Sequence, residues 1–268
     1  MIDRPFGAVS VPVAVVGQGT WRMGESAGAR KDEVAALKLG IELGLTHIDT
    51  AEMYGDGGAE RVVAEAVRGQ REKVFIATKV LPSNASHEGT LRACERSLKR
   101  LKTDHLDLYL LHWWSSQHPI GETIRALEEL VARGLTRLIG VSNFDVAQLR
   151  AAQAALRRER LACNQVLYHL RDRGIESALL PYCEAQGIAV VGYTPLGKGG
   201  FLRGVVAEVA ARLGRTPRQV ALAFLTRRPA LFTIPKASRL EHVLENAAAL
   251  DFTLTPADLA RIDAVFRA

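Results

Sequence analysis

The chain of 268 residues has only three cysteines, Cys94, Cys163 and Cys183, and none of them sits in a CxxC spacing. Odd in number and far apart, they exclude a disulfide framework or a zinc ribbon and are expected to be buried thiols. Long hydrophobic runs are also missing. No window of about 18 uncharged apolar residues occurs, and Met1 to Ser10 lacks a basic stretch followed by an apolar one. Neither membrane insertion nor export is expected, which makes the cytoplasm the expected location. Linkers and low-complexity tracts are absent as well, so residues 1–268 are expected to form one domain, with a monomer as the expected state.

Charge is plentiful but not segregated. The net charge is +6 and the pI about 9.4, yet basic residues alternate with acids along helical faces, as in "LRACERSLKRLK". A solvated surface explains that pattern better than a nucleic-acid footprint, while a basic balance still suits an anionic small molecule. With 48% hydrophobic residues, the chain can bury a large core.

After "FGAVSVPVAVV", which predicts a short hairpin, eight apolar runs recur: "VVGQGT" (15–20), "HIDT" (47–50), "VFIATK" (74–79), "DLYLLH" (107–112), "RLIGVS" (137–142), "CNQV" (163–166), "AVVGYT" (189–194) and "LFTIPK" (231–236). Amphipathic helical patterns separate them, at 31–44, 60–67, 88–101, 120–133 and 145–157, and Gly44, Gly134, Gly187 and Gly214 stand where helices would end. Apolar strands alternating with helices indicate parallel strands covered on both faces, and eight such units predict a closed (β/α)8 barrel. Barrel enzymes place chemistry at the C-terminal strand ends. Here those ends carry Asp49, Lys79, His112, Ser142 with Asn143, Gln165, Tyr193 and Lys236.

"HIDTAEMYGDGGAER" (47–61) admits a metal site on His47-x-Asp49, a phosphate-cradling glycine loop, or a phenol acid with distant partners. Alternate strand residues project the same way, so His47 and Asp49 could share a metal in a hydrolase barrel. The other strand ends offer lysine, serine, amides and tyrosine, which are poor ligands for divalent cations. A dinucleotide fingerprint fails at "GQGTW", because Arg22 falls where its third glycine belongs and no helix opens there. The phenol reading needs a cation near Tyr54, since free tyrosine ionises near pH 10. Lys79, on the neighbouring strand, can supply that charge and lower the value, held in place by Asp49. His112 would then orient a substrate oxygen.

The chain resembles the aldo-keto reductase superfamily in "GQGTW", "IDTAEMYG", "IATKV", "DLYLLHW", "IGVSNF", "NQVLYH", "GYTPLG" and "IPKASRLEHVLEN", all in the family's order. The resemblance is nearest to the bacterial diketogulonate-reductase and methylglyoxal-reductase branch. It implies NADPH as cofactor, aldehydes or ketones such as methylglyoxal as substrates, no metal, and a catalytic tetrad of Asp49, Tyr54, Lys79 and His112. It further implies that Gly19, Thr20 and Trp21 lie at the cofactor and that Ser142, Asn143 and Gln165 hold the nicotinamide carboxamide. Tyr193 would stack on the ring, and Thr194, Leu196 and Lys198 would contact the pyrophosphate. Lys236 would meet the 2′-phosphate, and Glu245 with Asn246 the adenine.

Three departures from the family pattern bear on specificity. His242 stands where many members carry a phosphate-clamping arginine, so Arg239 is the expected substitute. Leu81 replaces an aromatic pocket wall, and no long segment follows Ala268. An open pocket walled by Trp21, Met53, Leu81, Trp113 and Trp114 is the expectation. Two other readings stay open: a cofactor-sensing binding protein that does not turn over, and the metal-dependent hydrolase.

Overall fold

The structure is a computed structural model that describes residues 2–197 and 199–267. Strands β1 (Asp3–Phe6) and β2 (Val9–Ala14) pair antiparallel as the hairpin expected from the sequence. Strands and helices then alternate: β3 (Gln18–Gly19), α1 (Arg30–Glu42), β4 (His47–Asp49), α2 (Gly58–Ala66), β5 (Phe75–Val80), α3 (His87–Leu101), β6 (Leu106–Leu111) and α4 (Ile120–Ala132). The second half continues with β7 (Thr136–Ser142), α5 (Val146–Ala155), β8 (Leu161–Leu167), α6 (Leu179–Gln186), β9 (Ala189–Tyr193), α7 (Val205–Leu213), α8 (Pro217–Leu225), β10 (Leu231–Thr233), α9 (Leu240–Ala247) and α10 (Pro256–Val265). Each of the eight expected strands is present, and the helix after "GQGTW" opens only at Arg30.

Strands β3 to β10 pair in sequence order as one parallel sheet. Its two edges meet through bridges Val16–Thr233 and Gly19–Lys236, with Gly17 N donating to Thr233 O at 2.8 Å, which closes the (β/α)8 barrel. That seam is tight: a Cβ on Gly19 would lie 2.6 Å from the Ile234 carbonyl oxygen, so only glycine lets the strands meet. Gly187, in left-handed conformation at φ 65°, ends α6 and turns the chain into β9. No helix of the described residues is long and apolar enough to cross a membrane.

Strands β5 and β6 are buried at every position because helices cover one face and the barrel interior fills the other. Side chains alternate between these environments. Ile48, Ile76, Tyr109, Leu111 and Val141 pack outward against the helices, while Phe75, Ala77, Leu108, Leu110, Cys163, Val191 and Phe232 pack inward. The hairpin caps the N-terminal end of the lumen with Phe6, whose ring meets His47, Phe75 and Phe232 at centroid distances of 6.1, 5.4 and 5.0 Å. Cys94, Cys163 and Cys183 are buried free thiols, as expected.

His47 belongs to this apolar floor. Burial, which penalises the imidazolium, pulls its pKa from 6.5 down to about 4. A histidine depressed in the folded state contributes stability that is present above its unfolded value and lost as pH falls through the folded one. The urea unfolding free energy is therefore expected to decline between pH 6.5 and pH 4, and His47→Phe should make that decline shallower. An unchanged slope in the variant would remove His47 from the account of acid sensitivity.

Candidate active site

At the C-terminal end of the lumen the inward positions turn polar. Register places Asp49 beside Ala77 and Ser142 beside Gln165, so side chains two residues beyond the apolar floor converge on the barrel axis. The Lys79 ammonium, fully buried, donates to both Asp49 carboxylate oxygens and to the Thr50 carbonyl oxygen, each at 2.8 Å. Gln165 Nε2 donates to Asp49 Oδ1 at 2.7 Å. Burial disfavours the ammonium, but the charges and hydrogen bonds of Asp49 and Tyr54 together outweigh it and hold the Lys79 pKa above its ordinary value. The Asp49 oxygens thus face a lysine and an amide, and His47 lies among phenylalanines. No cluster of three or more metal-ligating side chains occurs among the described residues.

Tyr54 sits on the loop between β4 and α2, with the Lys79 ammonium 5.1 Å from its ring centroid. The expected depression of its pKa does not appear. Burial raises it, and the opposing charge of Lys79 only partly offsets that rise, so the phenol keeps its proton across neutral pH. His112 meets the Tyr54 ring edge-on at a centroid distance of 5.7 Å. Burial, reinforced by the Lys79 charge, depresses its pKa to about 3, leaving a neutral imidazole. Asn143, in left-handed conformation at φ 61°, donates to the His112 carbonyl oxygen at 3.0 Å and accepts from the Tyr193 hydroxyl at 2.9 Å. It ties the ends of β6, β7 and β9 together.

These groups open into a cleft of about 790 Å³ that crosses the barrel mouth. Of the residues singled out in the sequence, Gly19, Trp21, Asp49, Met53, Tyr54, His112, Trp113, Asn143, Gln165, Tyr193, Thr194, Leu196 and Lys236 line it. Trp21, Met53 and Trp113 form an exposed apolar rim.

Other expected residues sit differently. Thr20 is buried, its hydroxyl donating to the Asp49 carbonyl oxygen at 2.9 Å. Ser142 is buried and donates to the Gln165 carbonyl oxygen. Leu81 and Trp114 lie off the cleft; the Leu81 amide donates to Glu52, and the Trp114 indole donates to the His118 carbonyl oxygen. Lys198 lies outside the described residues.

At the far end of the cleft, Lys236 is exposed beside Ser238. Arg239 points into solvent and pairs with Glu241 at 3.5 Å, away from the cleft. His242 and Glu245 face each other at 3.4 Å, and Asn246 is buried with its Oδ1 unpartnered. The cleft also takes in residues not anticipated from sequence, among them Arg22, Pro195, Gly197 and Arg218. The signal for Arg218 was its place in the first turn of α8, because helices that follow barrel strands begin at the mouth.

Comparison with known proteins agrees with this geometry. The profile of the Aldo/keto reductase family matches residues 15–267. Methylglyoxal reductase YeaE of Escherichia coli (strain K12) is 50% identical over 268 residues, covering 98% of this chain and 93% of the relative. Glyoxal reductase of Bacillus subtilis (strain 168) is 35% identical over 231 residues, covering 86% and 82%. Among solved structures, an aldo-keto reductase from Klebsiella pneumoniae in complex with NADPH is 46% identical, with a TM-score of 0.94 over 99% of this chain and 96% of that one.

The buried pair generates a prediction. Lys79→Met strands a carboxylate in the lumen and should cost about 3–5 kcal/mol. The double variant with Asp49→Asn removes the orphaned charge and should recover most of that loss in urea denaturation. Simple addition of the two single-variant losses would mean that the charges are not coupled.

Proposed function

This chain belongs to the aldo/keto reductase family, and we propose that it uses NADPH to reduce small aldehydes and ketones, 2-oxoaldehydes such as methylglyoxal among them, with Tyr54 as general acid. The observation that carries the reading is a protonated phenol and a neutral imidazole in contact at the cleft wall, above the buried, hydrogen-bonded Asp49–Lys79 pair. The names of the methylglyoxal and glyoxal reductases that resemble this chain support the substrate class.

The residues present fit the cofactor. Asn143 and Gln165 offer amides to a carboxamide, and Tyr193 offers an aromatic face. Lys236 offers a cation to a phosphate, and the buried, unpartnered Asn246 Oδ1 is an acceptor awaiting a donor such as an adenine amine. Structures with NADPH, or with NADP and acetate, in similar Klebsiella pneumoniae proteins support the same choice. When bound, NADPH supplies the hydride from C4 of its nicotinamide.

The protein's share is proton delivery and orientation. As negative charge develops on the carbonyl oxygen, the Tyr54 hydroxyl hands over its proton, and neutral His112 steers that oxygen by hydrogen bonding. A high resting pKa serves this role, because the phenol stays protonated until the reaction creates a stronger base. Lys79 then stabilises the phenolate left behind, while Asp49 and Gln165 keep the ammonium in position. Trp21, Met53 and Trp113 give the substrate an apolar approach.

Tyr54→Phe keeps the ring and removes the proton. Carbonyl-dependent NADPH oxidation should fall by roughly a hundredfold or more, while NADPH binding by fluorescence titration stays near that of the wild type. Turnover within tenfold of wild type would overturn the acid assignment. A wild-type protein that binds NADPH but turns over none of methylglyoxal, aromatic aldehydes, aldoses or 2,5-diketogluconate would favour a binding protein over an enzyme.

A further inference from the structure

The cofactor end of the cleft has a gap in its chemistry. Lys236 supplies one point charge on the cleft wall. His242 contacts Glu245 and does not line the cleft, and Arg239 leans into solvent toward Glu241. A dianionic phosphate held by one exposed lysine would be held weakly, since an ammonium lacks the two-pronged geometry of a guanidinium. One further cation does line the cleft at this end, and it comes from a different helix.

That cation is Arg218, in the first turn of α8 behind the Thr216–Gln219 capping box. Its Nε lies 3.6 Å from Glu245 Oε2, the same oxygen that faces His242 Nδ1 at 3.4 Å. The α8 and α9 helices are locked together at this point, with Gln219 Nε2 donating to the Glu245 carbonyl oxygen at 3.2 Å. The backbone that carries the arginine is therefore restrained before any ligand arrives, its guanidinium lies beside the Glu245 carboxylate, and only about a third of its side chain is exposed (35%). Restraint reduces the rotamer entropy that a free surface arginine would lose on binding.

We infer that Arg218 is the second phosphate-recognising cation of this cleft, binding the adenosine 2′-phosphate jointly with Lys236 and thereby setting the preference for NADPH over NADH. The assignment rests on the NADPH reading above and replaces Arg239 as the partner of Lys236. Arg218 acts twice. Its guanidinium attracts the phosphate, and it neutralises Glu245, whose carboxylate would otherwise stand unopposed near a dianion. Loss of the arginine removes an attraction and uncovers a repulsion, whereas NADH, with a ribose hydroxyl in that place, is indifferent to the first and can donate to the second.

The test is a binding measurement on the intact chain, independent of turnover. NADPH and NADH are titrated by fluorescence, and 2′,5′-ADP and 5′-ADP by calorimetry, against wild type, Arg218→Ala, Arg218→Lys and Arg239→Ala. Arg218→Ala should weaken NADPH and 2′,5′-ADP by ten- to a hundredfold, the equivalent of about 1.4–2.8 kcal/mol. It should change NADH and 5′-ADP less than threefold. Arg218→Lys should recover part of the loss, and Arg239→Ala should match wild type. Equal weakening of phosphorylated and unphosphorylated ligands, or a large loss in Arg239→Ala with none in Arg218→Ala, overturns the assignment and leaves the NADPH reading standing. A wild type that binds neither NADPH nor 2′,5′-ADP overturns both.

Discussion

A lysine and an aspartate with almost no access to water meet at the axis of the barrel, and much of the molecule is arranged around the cost of keeping them there. Each ion taken alone into the lumen would cost several kcal/mol in lost hydration, and their mutual attraction offsets this only when every remaining donor and acceptor is engaged. That condition is met by close neighbours: the Thr50 carbonyl, next to Asp49 in the chain, accepts a hydrogen bond from the ammonium, and the Gln165 amide donates to the carboxylate from across the barrel. Strand register is thereby constrained. A one-residue slip of β4, β5 or β8 would turn Asp49, Lys79 or Gln165 toward the helices and leave the others uncompensated.

The pair also determines the protonation states around it. His112 is neutral partly because Lys79 is charged, and the high pKa that burial gives Tyr54 is moderated by the same ammonium. Below the pair, Phe6, Phe75 and Phe232 fill the lumen and exclude water from its floor. The barrel thus has a polarity gradient along its axis, apolar at the hairpin end and ionic at the mouth. His47 and Asp49 illustrate it within one strand: two residues of rise move the environment from a cage of aromatic rings to a network of hydrogen bonds.

The barrel was legible in the sequence because short, mostly apolar runs recur between helical patterns, and polar residues at or near their C-terminal ends are the ones the lumen presents at its upper rim. Asp49, Lys79 and His112 stood out by position, because chemistry sits at strand ends, whereas Tyr54 lies on a loop and joined them only through the phenol reading and the family resemblance. What sequence could not convey was the balance of opposed effects and the direction of long side chains. Lys79 was rightly expected near Tyr54, yet burial outweighs its charge, and burial of a loop residue has no signature in spacing. Arg239 and Arg218 look equivalent in sequence, both basic and both at helix starts. Only the docking of α8 on α9 turns one into the cleft and leaves the other in solvent. Trp114 is a similar case, since its indole is drawn to the His118 carbonyl rather than toward the pocket.

The resulting cleft is electrostatically divided along its length. At its deep end, Asp49 pairs with the lysine, His112 is uncharged and Tyr54 is protonated, so a neutral carbonyl would meet hydrogen-bond donors backed by a paired charge and not by a free one. At the far end, Lys236 and Arg218 line the cleft, with the Glu245 carboxylate beside the arginine. Anchoring energy and reaction energy are therefore drawn from different places. Strong charge-assisted contacts can hold a ligand far from the reacting atoms, while the reacting end stays responsive to the small charge that develops only as the carbonyl is reduced. A cation placed at the reacting end without its carboxylate would bind ground-state anions tightly and be occupied by them, which gives a physical reason for Lys79 to be buried behind Tyr54 rather than exposed beside it.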